Sequence, residues 1–238
     1  MKQSNWTIMA KGGVGKSFVS WVLAQYHISN VRNTYFADTD PSNATFSSYP
    51  GIGAKHISIA DAESNINQGA FDELVNDIAS HDGFSVIDTG APSFLPMMNY
   101  LSQNNTFDAL QSIGHQIIVH TPLVGGPAMT ETIMGIAKIL ESTNADVVVW
   151  ENEYFGPAED EGKRFIDTQL YKTYRSRILG IVRIAKREEG TFGRDIKQLL
   201  TQRLMFDACD SVDFPFAQKN RINNIRKDLF KQLDAIGI

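Results

Sequence analysis

The stretch Lys11-Gly12-Gly13-Val14-Gly15-Lys16-Ser17 constrains this chain more than any other. It stands between a strand-like apolar run, Trp6 to Ala10, and a helical run, Phe18 to His27. Three glycines let a backbone turn tightly and aim successive N–H groups at one point. The positive end of the following helix adds to that field. Such a loop binds phosphate. Lys16 is expected to neutralise the β- and γ-phosphates of a nucleotide and Ser17 to hold Mg²⁺. Lys11, Gly12, Gly13, Val14, Gly15, Lys16, Ser17 and Phe18 are therefore the first candidate nucleotide contacts.

The rest of the chain reads as the setting such a loop requires. Phe84 to Ile87, Gln116 to His120, Val147 to Trp150 and Ile178 to Ile184 are short apolar runs. Tyr35 to Ala37 leads into an acidic loop. Helical spacing is read over Phe71 to Ala79, Ala128 to Leu140, Lys163 to Tyr174, Arg194 to Met205 and Arg221 to Ile236. Nearly continuous apolar strands are buried on both faces, and strands alternating with helices build parallel sheets. The expected fold is α/β: a mostly parallel central sheet flanked by helices, of the P-loop NTPase kind. Residues 1–238 carry no repeat or linker and are expected to form one domain. The phosphate motif begins too early to leave room for a DNA-binding module ahead of it.

Two acidic segments follow the loop. Asp38-Thr39-Asp40-Pro41-Ser42-Asn43 comes after the second strand, where a carboxylate can orient a water in line with a γ-phosphate. Read alone, it is a turn signal. Phe84-Ser85-Val86-Ile87-Asp88-Thr89-Gly90 carries Asp88 to a strand end, where it can bind a water ligand of Mg²⁺. Gly90 allows the loop beyond to swing. Asn152 lies at the end of another strand and Phe214-Pro215-Phe216 near the C-terminus; both also read as a strand cap and a core turn.

The KGGVGKS form, with its second lysine at Lys11, is the deviant Walker A motif and resembles the ParA and MinD ATPases. The resemblance implies ATP and Mg²⁺ as cofactors, a nucleotide-sandwich homodimer, and Lys11 reaching the other subunit's nucleotide. It implies Asp40 as the catalytic aspartate beside Lys11 and Lys16. It places Asp38, with Ser17 and Asp88, near the metal. It implies Asn152 bonding adenine; Phe214-Pro215-Phe216, with Phe214 and Pro215 first, is the candidate to line the other side of the base. Ser42 departs from the glutamine usual in ParA proteins. The stretches 38–49, 86–101, 114–121, 147–165, 191–207 and 226–234 are similar to TraL-like ATPases of conjugative plasmids, grouped with StbB and MobD. Asn152 to Pro157 and Thr191 to Asp195 are the more specific of these motifs.

Composition narrows the alternatives. One cysteine, Cys209, cannot build a disulfide framework or a cysteine-based metal site, which removes a nitrogenase-reductase-like electron carrier. A single thiol also fits a reducing compartment, and no apolar run has signal-peptide or membrane-span character, so a cytoplasmic protein is expected. The five histidines lack metal-ligand spacing, and His120 on its strand reads as a core residue. A dethiobiotin-synthetase-like ligase remains as an alternative with the same loop. The net charge of −5 is uneven: residues 172–203 hold nine basic and three acidic side chains, and 219–231 hold five and one. This suggests a basic face for DNA or a transfer-machinery protein, or simply solvated helix surfaces. Arg226, Lys227, Lys231, Arg175, Arg177, Lys186 and Arg187 are its candidates. Ile222, Ile225, Leu229, Leu233 and Ile236 are expected to pack on the sheet rather than enter a membrane.

Overall fold

The computed structural model describes residues 2–59, 67, 69–160, 162–211 and 213–238. Its sheet contains β1 (Lys2–Thr7), β2 (Thr34–Asp38), β3 (Lys55–His56), β4 (Phe84–Asp88), β5 (His115–Val124) and β6 (Asp146–Asn152). Two further short strands, β7 (Glu159–Asp160) and β8 (Lys163–Arg164), pair antiparallel as a separate hairpin. The last sheet strand is β9 (Ile178–Ile184). The spatial order is β3-β2-β4-β1-β5-β6-β9, and every pairing in this sheet is parallel. The mostly parallel α/β sheet expected from the alternating pattern is thus present.

Alternation along the strands divides the core into two layers. Val147 and Val149 pack into one, Val148 and Trp150 into the other. Side chains two apart share a face, so a strand covered on both sides must be apolar throughout its middle. The first layer holds α2 (Ala70–Ser80), α3 (Phe94–Gln103), α4 (Thr106–Ser112) and α5 (Met129–Ser142). The second holds α1 (Lys16–Ser29), α7 (Arg194–Thr201) and α9 (Phe216–Ile236). Short helices α6 (Gln169–Thr173) and α8 (Ala208–Ser211) complete the described set. On α9, Ile222, Ile225, Leu229 and Leu233 are buried and Ile236 is partly buried against the same core, so this stripe is covered by the protein itself. No helix among the described residues is long and apolar enough to cross a membrane.

Several boundaries differ from the sequence reading: α7 ends at Thr201 rather than Met205, α9 begins at Phe216 rather than Arg221, and three further differences have a physical reason. β1 runs over Lys2–Thr7, not Trp6 to Ala10, because its polar residues Gln3, Ser4 and Asn5 are buried and paired across the sheet. β5 extends through Pro122 to Val124. That proline lies beyond His120, where pairing with β1 ends, so its missing N–H costs no ladder bond on that side. Lys163 to Tyr174 is not one helix. Lys163 and Arg164 are extended in β8, and Thr168, also extended at ψ 153°, caps α6 through a 3.2 Å bond from Tyr171 N to its hydroxyl. α3 and α4 lacked a clear sequence signal; Pro96 sits in the first turn of α3, where no N–H is needed.

Candidate nucleotide site

The phosphate loop connects β1 to α1 at the carboxyl end of the sheet. Such sheets bind ligands at this edge, near the crossovers. β1 lies between β4 and β5, so the chain crosses over a neighbour on leaving it. Gly15 ends the loop at φ 104°, and α1 starts at Lys16. A Cβ on Gly15 would lie 2.9 Å from Asn152 Nδ2, so both backbone and space demand glycine here.

Lys16 is 7% exposed and its ammonium donates to Lys11 O at 3.2 Å. Burial pushes its pKa down, against the opposing pull of Asp88 and Asp40. No carboxylate among the described residues lies within ion-pair distance of it. A nearly enclosed ammonium with one neutral acceptor suits an arriving anion.

Asp38 and Asp88 stand in register at the ends of β2 and β4, and Thr7 on β1 is in register with Asp88. Asp88 is fully buried. Its Oδ1 accepts from Ser20 Oγ at 2.8 Å, and its Oδ2 has no hydrogen-bond partner among the described residues. Burial raises its pKa to about 7, with the Asp38 charge adding and the Ser17 and Ser20 hydroxyls and Lys16 opposing. Asp38 accepts from Asp40 N at 3.0 Å and Ser47 N at 2.8 Å, which fixes the acidic loop. Asp40 Oδ1 accepts from Ser42 N and Asn43 N at 2.8 and 3.1 Å. A Cβ on Gly90 would lie 2.7 Å from that same oxygen, so the loop after β4 approaches Asp40 only because it carries glycine.

This donor set fits Mg²⁺. Asp88 Oδ2 is a buried carboxylate oxygen with unused capacity, and Ser17 lies beside it on the first turn of α1. Among the described residues no three His, Cys, Asp or Glu side chains form a cage of their own. Mg²⁺ sites of nucleotide enzymes are built this way, from one or two protein oxygens plus phosphate.

Lys11 forms an ion pair with Glu131 on α5, at 2.9 Å, on the surface. Asn152 donates to Val14 O at 3.0 Å and accepts from Tyr154 N at 3.2 Å. It therefore braces the back of the phosphate loop, leaving one N–H for any other partner. Phe18 is partly buried against Trp21, with ring centroids 5.5 Å apart. Phe214 packs into the α1-side core, whereas Pro215 and Phe216 are exposed. Of that trio, the last two keep open surface for a base.

Sequence reasoning missed Ser20 and Glu131. Ser20 follows Lys16 by one helical turn and bridges Thr7 Oγ1 and Asp88, each at 2.8 Å, so helical spacing was an available signal. Glu131, 120 residues from Lys11, had none. The expected basic face is thinner than the charge count suggests. Arg177 donates to the carbonyls of Leu140 and Ala145, Arg187 pairs with Asp228 at 2.7 Å, and Arg175 donates to Ile178 O. His120 is a satisfied core residue: its Nδ1 accepts from Trp150 Nε1 at 3.1 Å and its Nε2 meets Asn5 Oδ1 at 3.0 Å.

No family model matches the chain. Among solved structures it is similar to a plasmid partition protein of Borrelia burgdorferi bound to AMPPNP, with TM-score 0.47 and 14% identity over 97% of this chain and 98% of that one. It is also similar to the MinC:MinD cell division complex of Aquifex aeolicus, with TM-score 0.49 and 11% identity over 97% and 96%. Two Escherichia coli proteins named TraL are far nearer in sequence. Each is 37% identical over 241 residues that cover all of both chains. At that identity and coverage, the chain belongs to the TraL family.

Proposed function

We propose that this protein is an ATP-driven switch: an ATPase whose nucleotide closes a homodimer and whose hydrolysis reopens it. The observation that supports the nucleotide part of this reading is a nearly enclosed Lys16, with no ion pair among the described residues, beside the orphaned Asp88 Oδ2 beneath a glycine loop at a helix N-terminus. Loop N–H groups and Lys16 would hold the phosphates. Ser17 and Asp88 would hold Mg²⁺, with Asp38 close by. When bound, that ion supplies neutralisation of charge on the phosphate oxygens. Asp40 would orient the attacking water; its carboxylate is already fixed by two backbone N–H groups. Asn152, through its remaining N–H, and Pro215 are the proposed base contacts.

In this reading Lys11 acts in trans, so it must first leave Glu131. The pair is exposed by 38% and 57%, and such surface pairs contribute only about 0–1 kcal/mol, so release costs little. The output is conjugal transfer or plasmid stability, as the TraL name of the relatives suggests. Arg226, Lys227, Lys231 and Lys186 are the cations left for DNA or a transfer-machinery protein. The ligase alternative has no supporting observation.

The direct test is thermal stabilisation by ATP and Mg²⁺. Wild type should be stabilised and Lys16→Ala should not; equal shifts would sink the assignment. Dimerisation is a separate matter. With a slowly hydrolysed ATP analogue, Asp40→Ala should run as a dimer and Lys11→Ala as a monomer in sizing chromatography. A Lys11→Ala dimer would rule out the trans role. Binding to random duplex DNA should weaken steeply with salt, and no binding at low salt would leave a protein as the client.

A further inference from the structure

We propose that Arg203, just beyond α7, is a positioning residue for the acidic loop that carries Asp40: it clamps the Tyr49 ring, and Tyr49 anchors the far side of that loop. The consequence for hydrolysis rests on the nucleotide reading above; the clamp itself does not.

Arg203 sits at φ 56°, in the left-handed region. Leu204 N donates to Leu199 O at 2.9 Å and Arg203 N to Leu200 O at 3.3 Å, the bond pair of a Schellman cap after α7. Glycine is the usual residue at this position, because it has no Cβ to strain. An arginine held there needs a use for its side chain. Its guanidinium lies 5.4 Å from the centroid of the Tyr49 ring, where a cation is attracted to the ring face, and donates to Leu200 O at 3.2 Å. The side chain thus spans from the end of α7 to the acidic loop. The two segments also meet at Gly51, where a Cβ would lie 2.3 Å from Met205 Sδ.

A short chain of bonds leads from Tyr49 to Asp40. Tyr49 is 2% exposed and Phe46 beside it is fully buried, both in the core layer of α1. Ser47, between them, donates its N–H to Asp38 Oδ2 at 2.8 Å. Asp40 N donates to the other oxygen of the same carboxylate at 3.0 Å. One side chain therefore ties Ser47 to Asp40, and a shift of Tyr49 reaches both. The mount of the clamp is fixed on α1, which begins at Lys16. Trp21 Nε1 donates to Leu204 O at 3.2 Å, and Phe206 N donates to Gln25 Oε1 at 2.5 Å. Arg203 thus sets the acidic loop against the helix that ends the phosphate loop. A misplacement of roughly 1 Å in such a constellation can cost about 100-fold in rate.

The test compares Arg203→Gly and Arg203→Lys with wild type in the full chain. Glycine suits the backbone at this position, so Arg203→Gly should keep its fold, which urea unfolding checks. Without nucleotide, hydrogen exchange at the Asp40 and Ser47 amides, read by NMR, should quicken by about tenfold in Arg203→Gly. With ATP and Mg²⁺, kcat should fall about tenfold while ATP affinity by calorimetry stays within about twofold. Arg203→Lys keeps a cation over the ring and should recover part of both losses. A residue that merely caps α7 would change unfolding and leave kcat alone. The proposal is overturned when exchange or kcat in Arg203→Gly matches wild type, or when affinity and kcat fall together. A wild-type chain that binds no ATP overturns the nucleotide reading instead, and the exchange rates then decide the clamp by themselves.

Discussion

In the middle of the sheet a cluster of buried polar side chains closes on itself; at the carboxyl edge Lys16 and Asp88 keep unused capacity. Ser4 meets Ser85 at 2.7 Å, and Asn5, His120 and Trp150 form a chain of bonds at 3.0 and 3.1 Å. A short distance along, Lys16 has one neutral acceptor and Asp88 Oδ2 has none. Both sets are buried. The difference is capacity. A satisfied buried network stabilises a unique core, whereas unused capacity costs stability and waits for a ligand. Burial of polar groups alone would not have separated the two.

The widest separation should come from Lys16→Ala set against Ser4→Ala. Removing the Lys16 ammonium should cut ATP affinity by at least about 100-fold, near 2.7 kcal/mol, and leave unliganded stability unchanged or higher. Ser4→Ala should do the reverse: unchanged affinity and a loss of about 1 kcal/mol. Titration calorimetry and urea unfolding on both proteins check this. Loss of stability without loss of affinity in Lys16→Ala would erase the distinction.

A comparable effect on stability is expected from His120→Leu. It leaves Asn5 Oδ1 and Trp150 Nε1 without a partner, and each orphaned group costs about 1–3 kcal/mol. Unfolding midpoints should fall accordingly while nucleotide affinity holds. An unaffected midpoint would show that these bonds are not contributing.

The same comparison shows what a sequence discloses. The loop, the parallel sheet and Asp38, Asp40 and Asp88 were legible because glycine, apolar runs and strand-end acids are local signals. Gln3, Ser4 and Asn5 hid the start of β1, because strand polarity is explained only by partners far along the chain. Glu131, Arg164 and the Phe214 ring were equally opaque, since their placement depends on tertiary neighbours. The bracing of Val14 by Asn152 crosses 138 residues, and no spacing announces it.

Acid should expose the closed network next. Burial, with the Arg32 charge at His27 and the His27 charge at His120, pushes both imidazoles down to about 3. The unfolded chain takes up protons below about 6.5, while the folded chain excludes them. Stability from these groups is thus complete above about pH 6.5 and lost as pH falls toward 3. Each histidine contributes a slope of up to about 1.4 kcal/mol per pH unit in that window. Urea unfolding at pH 7, 6 and 5 should show the loss, and His27→Gln should reduce the slope by one proton. An unchanged slope in that variant would place the titrating groups elsewhere.

The smallest effect, and the one that bears most directly on the site, is expected from Asp88→Asn. Burial raises the Asp88 pKa from 3.8 to about 7, so the folded, unliganded chain binds a proton that the unfolded chain has released. Between those values stability must fall as pH rises. Asparagine carries no charge and should remove that fall. Below about pH 3.8 the variant and the wild type should have similar stability, since Asp88 is protonated there in both the folded and the unfolded chain. At pH 8 the variant should be more stable by about 1 kcal/mol. The gain is smaller than the full shift implies because the buried amide brings N–H groups that need partners of their own. The same variant should lose the Mg²⁺-dependent part of ATP affinity at every pH. Stability gained and function lost in one substitution is the signature of a group placed for its ligand. A variant less stable than wild type at pH 8 would instead put Asp88 with the closed network of the sheet interior.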